Sequence, residues 1–239
     1  MKRLTILNNT SSVTSDDDND TPFDPASLFN LKKENDIKVD GNKIYFYKGV
    51  SRDSVLNLIG VLNEKIKKLK AVISEVGSID YYIPIYLFIN SEGGDYFAGL
   101  SAMDHIKNMN YPIYTVIDGM VASAATFISL AGTKRYITRS SWVLVHQIRS
   151  WFGGMYTHEQ LKDEMENSGN IMKSLNIMYS EHTKIPKKKL DQFFKHDLYI
   201  DSAQVLKYGI AEYIYSGNDS DNSENHSNNL IKKRKIILK

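Results

Sequence analysis

Cysteine is absent from this 239-residue chain. That excludes disulfides, thiolate metal sites and a cysteine nucleophile, so nucleophilic catalysis would have to use oxygen or nitrogen. No run of about 18 apolar residues occurs, which argues against a membrane-spanning helix. The start, MKRLTILNNTSS, carries only a short apolar patch, too little for a signal peptide. A surplus of one charge is also missing: 30 Lys and Arg face 28 Asp and Glu, a formal charge of +2. Such a balance predicts neither a nucleic-acid-coating protein nor a polyanion. Nucleotide loops are lacking too, since Gly93-Gly94 is not followed by Gly-Lys-Ser/Thr and no G-x-G-x-x-G occurs. His105, His158, His182, His196 and His226 form no metal-ligand spacing. The expectation is a soluble, cytoplasmic protein that holds no cofactor and no metal and does not bind nucleic acid.

What is present is enough chain to bury a real core. Residues 1–42 are expected to be a largely disordered extension, polar and punctuated by Pro22 and Pro25, with an acidic run from Asp16 to Asp20. Residues 216–239 are expected to be a disordered tail with a basic end. Between them, residues 43–215 alternate strand and helix signals. Lys43–Tyr47, Pro84–Asn90, Pro112–Ile117, Arg135–Thr138 and Trp142–His146 read as strands. Helical spacing marks Ser51 to about Val72, Tyr96 to about Met109, Ala122 to about Leu130 and Thr157 to about Lys184. Pro186 opens a shorter helix, and Asp201 or Ser202 caps a last one that stops at Gly209. This alternation predicts an α/β fold with mostly parallel pairing.

Ser123 lies in Gly119-Met-Val-Ala-Ser-Ala-Ala-Thr-Phe127, where a strand gives way to a helix. Free backbone N–H groups and the positive end of a helix favour an oxyanion there, as acyl transfer by serine requires. Small neighbours would let a substrate backbone approach, although a helix cap is the other role open to such a serine. His146 closes the apolar run Trp142-Val-Leu-Val-His, so it can face a cleft or be satisfied by backbone groups. Asp197, between two helices, can be a cap or a turn residue. Gly93-Gly94 after a strand supplies a tight turn or lets backbone come near a ligand. The G-x-S-x-G elbow of α/β-hydrolases is absent.

Taken together, these segments resemble the Clp protease proteolytic subunit family of serine peptidases. The likeness runs through Ile85-Tyr-Leu-Phe-Ile-Asn-Ser-Glu-Gly-Gly94, Ala98-Gly-Leu100, Gly119-Met-Val-Ala-Ser-Ala124 and Val143-Leu-Val-His-Gln147. It continues through Asp197-Leu-Tyr-Ile-Asp-Ser-Ala203 and Lys207-Tyr-Gly-Ile210. The resemblance implies an α/β, crotonase-like fold of repeated β-β-α units with an inserted long handle helix at 157–184. It implies Ser123 as nucleophile, His146 as general base and Asp197 as the orienting carboxylate, with the backbone N–H groups of Gly94 and Ala124 as the oxyanion hole. It further implies a homo-oligomer of stacked heptameric rings that cuts polypeptides delivered by an AAA+ Clp unfoldase, with ATP used by that partner. Glu92 stands where the family usually has Pro, Ala124-Ala125 where it has Met-Gly, and Ile148 where Pro follows His-Gln. A weakly active or inactive Clp-like regulatory subunit and a crotonase-type acyl-CoA enzyme are the competing expectations.

Overall fold

The computed structural model describes residues 37–75, 82–150 and 153–217. The expectations for residues 1–36 and 218–239 lie outside the described residues. Eight strands form one sheet: β1 (Lys38–Asp40), β2 (Lys43–Phe46), β3 (Ile85–Ser91), β4 (Ile113–Ala122), β5 (Lys134–Ile137), β6 (Trp142–Leu144), β7 (Tyr199–Asp201) and β8 (Tyr213–Ile214). The helices are α1 (Arg52–Glu75), α2 (Tyr96–Asn108), α3 (Ala125–Leu130), α4 (His158–His182), α5 (Lys187–Lys195) and α6 (Ser202–Lys207). The order along the sheet is β1-β2-β3-β4-β5-β8, with β6 joined to β4 and β7 joined to β6. Pairing from β2 to β5 is parallel, as the alternation predicts.

Period-two alternation divides the central strands between two apolar layers. Ile85, Leu87 and Ile89 of β3 and Ile113 and Ile117 of β4 face the main core. That core also takes Val55, Leu58 and Leu62 of α1 and Phe193 of α5. Tyr86 and Phe88 point the other way and form a second layer with Val116 and Tyr136. Tyr45 stacks on Phe88 at 4.9 Å, and Tyr215 meets Phe88 edge-on at 5.0 Å. Such ring pairs add about 0.5–1.5 kcal/mol each beyond their area.

Helix starts follow the capping chemistry of the sequence. The Ser51 hydroxyl accepts from Ser54 N–H at 3.1 Å. Thr157 and Gln160 form a reciprocal capping box on α4. Asp201 accepts from Gln204 N–H at 2.8 Å and opens α6.

The feature that builds the site is a fork in β4. Residues Tyr114–Ile117 pair with β5, whereas Met120–Ala122 pair with β6. The bend falls at Gly119, whose φ of +81° suits glycine. Its N–H donates to the buried Ser141 hydroxyl at 2.6 Å. Asp118-Gly119 therefore does not close the strand, as the turn signal suggests, because pairing with β6 carries it on to Ala122. Consequently α3 begins at Ala125 rather than Ala122. Lys38–Asp40, which composition assigns to the extension, pairs antiparallel with β2, and Ile37 just before it is buried.

Candidate active site

The fork sets the ends of β4 and β6 side by side, with Ala122 opposite Leu144 in parallel register. Ser123 follows Ala122 directly and His146 lies two residues beyond Leu144. Both line one cleft of about 780 Å³, together with Gly93, Gly94 and Ala124. Phe127, Leu175 and Tyr179 give the cleft an apolar wall, while Glu92, Asp95 and Arg149 bring charge to it.

Ser123 sits in the turn before α3, not in its first helical turn. It is the only non-glycine residue with positive φ among the described residues, at +54°. An L-residue in that region costs about 1–2 kcal/mol, so its surroundings must hold it there. Ser123 N–H donates to the Leu144 carbonyl at 2.9 Å, and Ser123 C=O accepts from Thr126 N–H at 3.0 Å. The turn against it is glycine for steric reasons. A Cβ on Gly93 would lie 2.6 Å from Ser123 Cβ, and one on Gly94 would lie 2.2 Å from the Val50 carbonyl oxygen. Both glycines have positive φ, +96° and +145°. The Gly94 and Ala124 N–H groups make no backbone hydrogen bond to the described residues, so they remain available as donors.

His146 Nδ1 is bonded to the carbonyl of Gln147. A carbonyl can only accept, so this contact assigns the proton to Nδ1 and leaves Nε2 as a base. Asp197 comes close by register. In the antiparallel β6–β7 ladder Leu144 faces Tyr199. His146 lies two residues beyond the Leu144 end of that ladder and Asp197 two residues before its Tyr199 end, so both leave the sheet from the same end. The Asp197 carboxylate, however, accepts from the Arg149 guanidinium. Ser123 and His146 thus line the same cleft, while Asp197 is not among its lining residues and is paired with Arg149, which is. Arg149 escapes a sequence reading because the whole of α4 and α5 separates it from Asp197; its only signal is a basic residue three positions after His146.

Among the described residues no group of His, Asp and Glu could hold a metal ion. No helix of the described residues is long and apolar enough to cross a membrane.

A mostly parallel sheet brings a serine, a histidine and a glycine turn to one cleft, the groups that acyl transfer by serine uses. The family profile described as Clp protease matches residues 42–218, and the chain belongs to that family. Among its relatives, the ATP-dependent Clp protease proteolytic subunit of Cyanophora paradoxa is 29% identical over 79% of this chain and 92% of the relative. Subunit 2 of the same name from Borreliella burgdorferi is 31% identical, over 75% and 90%. Its counterpart from Treponema pallidum is 28% identical, over 71% and 85%. The chain is a Clp-type protease subunit.

Proposed function

We propose that Ser123, His146 and Asp197 form the catalytic triad of a serine endopeptidase that hydrolyses short peptides and unfolded polypeptides. The observation that carries this reading is the shared cleft of Ser123, His146, Gly94 and Ala124, with Asp197 two residues before the β7 end that pairs with Leu144 of β6. Ser123 Oγ attacks the peptide carbonyl carbon while His146 Nε2 takes its proton. The Gly94 and Ala124 N–H groups hold the resulting oxyanion, each donor being worth about 3 kcal/mol. The C–N bond breaks as His146 returns the proton to the leaving amine, and water repeats the sequence on the acyl ester. For Asp197 to orient His146 and stabilise its cationic form, the carboxylate must leave Arg149 and the His146 Nδ1–H must leave the Gln147 carbonyl.

The reading extends to assembly. The chain works as a homo-oligomer of stacked heptameric rings, and an AAA+ Clp unfoldase spends ATP to deliver substrate. The chain itself takes no cofactor. Exposed Leu161, Met165 and Ile177 on α4 suit contacts between copies. A second reading, a catalytically weak regulatory subunit, draws on the Arg149–Asp197 pair, which engages the orienting carboxylate elsewhere.

The test is Ser123→Ala in the full chain, assayed with a fluorogenic peptide and a serine-directed phosphonate. Loss of roughly 10⁴-fold in rate and complete loss of labelling are expected, with native mass unchanged. Labelling that persists in Ser123→Ala rejects the assignment. A wild type that neither cuts nor reacts favours the regulatory reading.

A further inference from the structure

Ser123 holds its left-handed backbone with help that ordinary turn bonding does not supply. Besides accepting from Thr126 N–H, its carbonyl accepts from the Thr126 hydroxyl at 2.6 Å. The same hydroxyl lies 2.5 Å from the Tyr179 hydroxyl. A threonine hydroxyl carries one proton, and here that proton goes to the Ser123 carbonyl. Tyr179 must therefore donate to Thr126, and the order of the chain is fixed as Tyr179 O–H to Thr126 Oγ1, then Thr126 O–H to Ser123 C=O. Burial pushes the Tyr179 phenol well above its usual range, so the donor keeps its proton at any working pH. Thr126 is fully buried and Tyr179 nearly so, which shields both bonds from competition by water.

A threonine bonded to the carbonyl three residues back is common at helix starts. Two things set this one apart. The carbonyl belongs to the residue read as the nucleophile, at its strained φ. A second buried hydroxyl, from α4 and distant in sequence, stands behind the first. Neither residue touches the substrate carbonyl or the transferring proton in the reaction described above.

Resting on the reading of Ser123 as nucleophile, we propose that Thr126 and Tyr179 are positioning residues for peptide hydrolysis. Their relay of hydroxyls fixes the Ser123 backbone and so aims Oγ at the acyl carbon and at His146. A misaimed nucleophile loses rate far more than affinity, because a displacement of about 1 Å costs up to 10²-fold.

The experiment uses the full chain and compares Thr126→Val, Thr126→Ser, Tyr179→Phe and the double variant Thr126→Val with Tyr179→Phe. Each is assayed for kcat and KM on a fluorogenic peptide and for the rate of phosphonate labelling, with the labelled residue mapped by mass spectrometry. Thr126→Val is expected to lower kcat and labelling rate together by about tenfold or more with KM little changed. Thr126→Ser keeps the hydroxyl and restores the rate to near wild type. Tyr179→Phe falls severalfold, and the double variant is no slower than Thr126→Val, because Tyr179 acts through Thr126. Should Thr126→Val fail to fold, the contrast of Tyr179→Phe with wild type decides. Wild type labelled at Ser123 while folded Thr126→Val or Tyr179→Phe reacts at the wild-type rate overturns the relay. Wild-type label mapped to another residue is a different failure, that of the nucleophile reading.

Discussion

The Asp197 carboxylate is held by the Arg149 guanidinium, although Asp197 and His146 each lie two residues past the same end of the β6–β7 ladder. Both members of the ion pair are more than half exposed, at 68% and 52% of side-chain area. An exposed pair of this kind is worth up to about 1 kcal/mol and is weakened by salt. Arg149 therefore competes with His146 for the carboxylate without locking it away. Arg149→Gln removes the competing charge, and peptide cleavage is expected to rise about two- to fivefold, because 1.4 kcal/mol is tenfold in an equilibrium. Steady-state rates on a short fluorogenic peptide check this. A rate that falls in Arg149→Gln would assign the arginine to substrate binding instead.

Asp197→Asn keeps the size of the side chain but gives up its charge. The Gln147 carbonyl already fixes the proton on His146 Nδ1, so part of the tautomer control survives the change. What is lost is stabilisation of the imidazolium that forms in the transition state. The rate is expected to drop by roughly 10²-fold or more. The melting temperature should barely move, because Asp197 is exposed and paired only at the surface. Equal loss of melting temperature and rate would mark a purely structural carboxylate.

Much of this arrangement is written locally and some of it is not. Lys43–Phe46, Ile85–Ser91 and the long α4 appear where β-rich runs and helical spacing put them. Strands β1, β7 and β8 escape notice because two or three residues cannot show a period, and because the polar Lys38-Val-Asp40 edge owes its form to its partner β2. The fork at Gly119 is a tertiary event: Asp118-Gly119 carries a turn signal that pairing with β6 overrides. At the site, Ser123 and His146 share a cleft because two strand ends lie side by side. The positive φ of Ser123, the Thr126–Tyr179 pair and the hold of Arg149 on Asp197 depend on contacts between distant segments. No periodicity encodes such contacts.

Gly60, on the exposed face of α1, shows the ordinary cost of glycine in a helix. A Cβ there would meet nothing within 4 Å. Gly60→Ala reduces the freedom of the unfolded chain and adds no clash, which stabilises by about 0.5–1 kcal/mol. For a chain of this size that corresponds to a rise of about 1–4 °C in melting temperature. Calorimetry should show the rise, with peptide cleavage unchanged. A fall would mean that the α1 surface at Gly60 is covered by another copy.

The same substitution at Gly93 should act in the opposite sense, since backbone and neighbours both refuse a side chain there. At φ +96° an L-residue is strained. The added carbon would also lie 2.6 Å from Ser123 Cβ, 2.7 Å from the Ala122 carbonyl oxygen and 3.1 Å from Ala124 N. These contacts are to backbone and to a short side chain, so no flexible end can swing aside. Relief requires moving either the glycine turn or the Ser123 turn, and each carries a group the reaction needs: the Gly94 N–H on one side, the Ser123 hydroxyl and Ala124 N–H on the other. Gly93→Ala is expected to cost about 1–3 kcal/mol in stability. It should also lower kcat by roughly 10²-fold, the penalty for displacing reacting groups by about 1 Å. Because the cleft wall of Phe127, Leu175 and Tyr179 lies outside these clashes, KM should change little. Denaturant melts and kcat measured at a temperature where the variant is fully folded separate the two effects. A folded Gly93→Ala chain with wild-type kcat would show that the glycine turn and Ser123 do not act together.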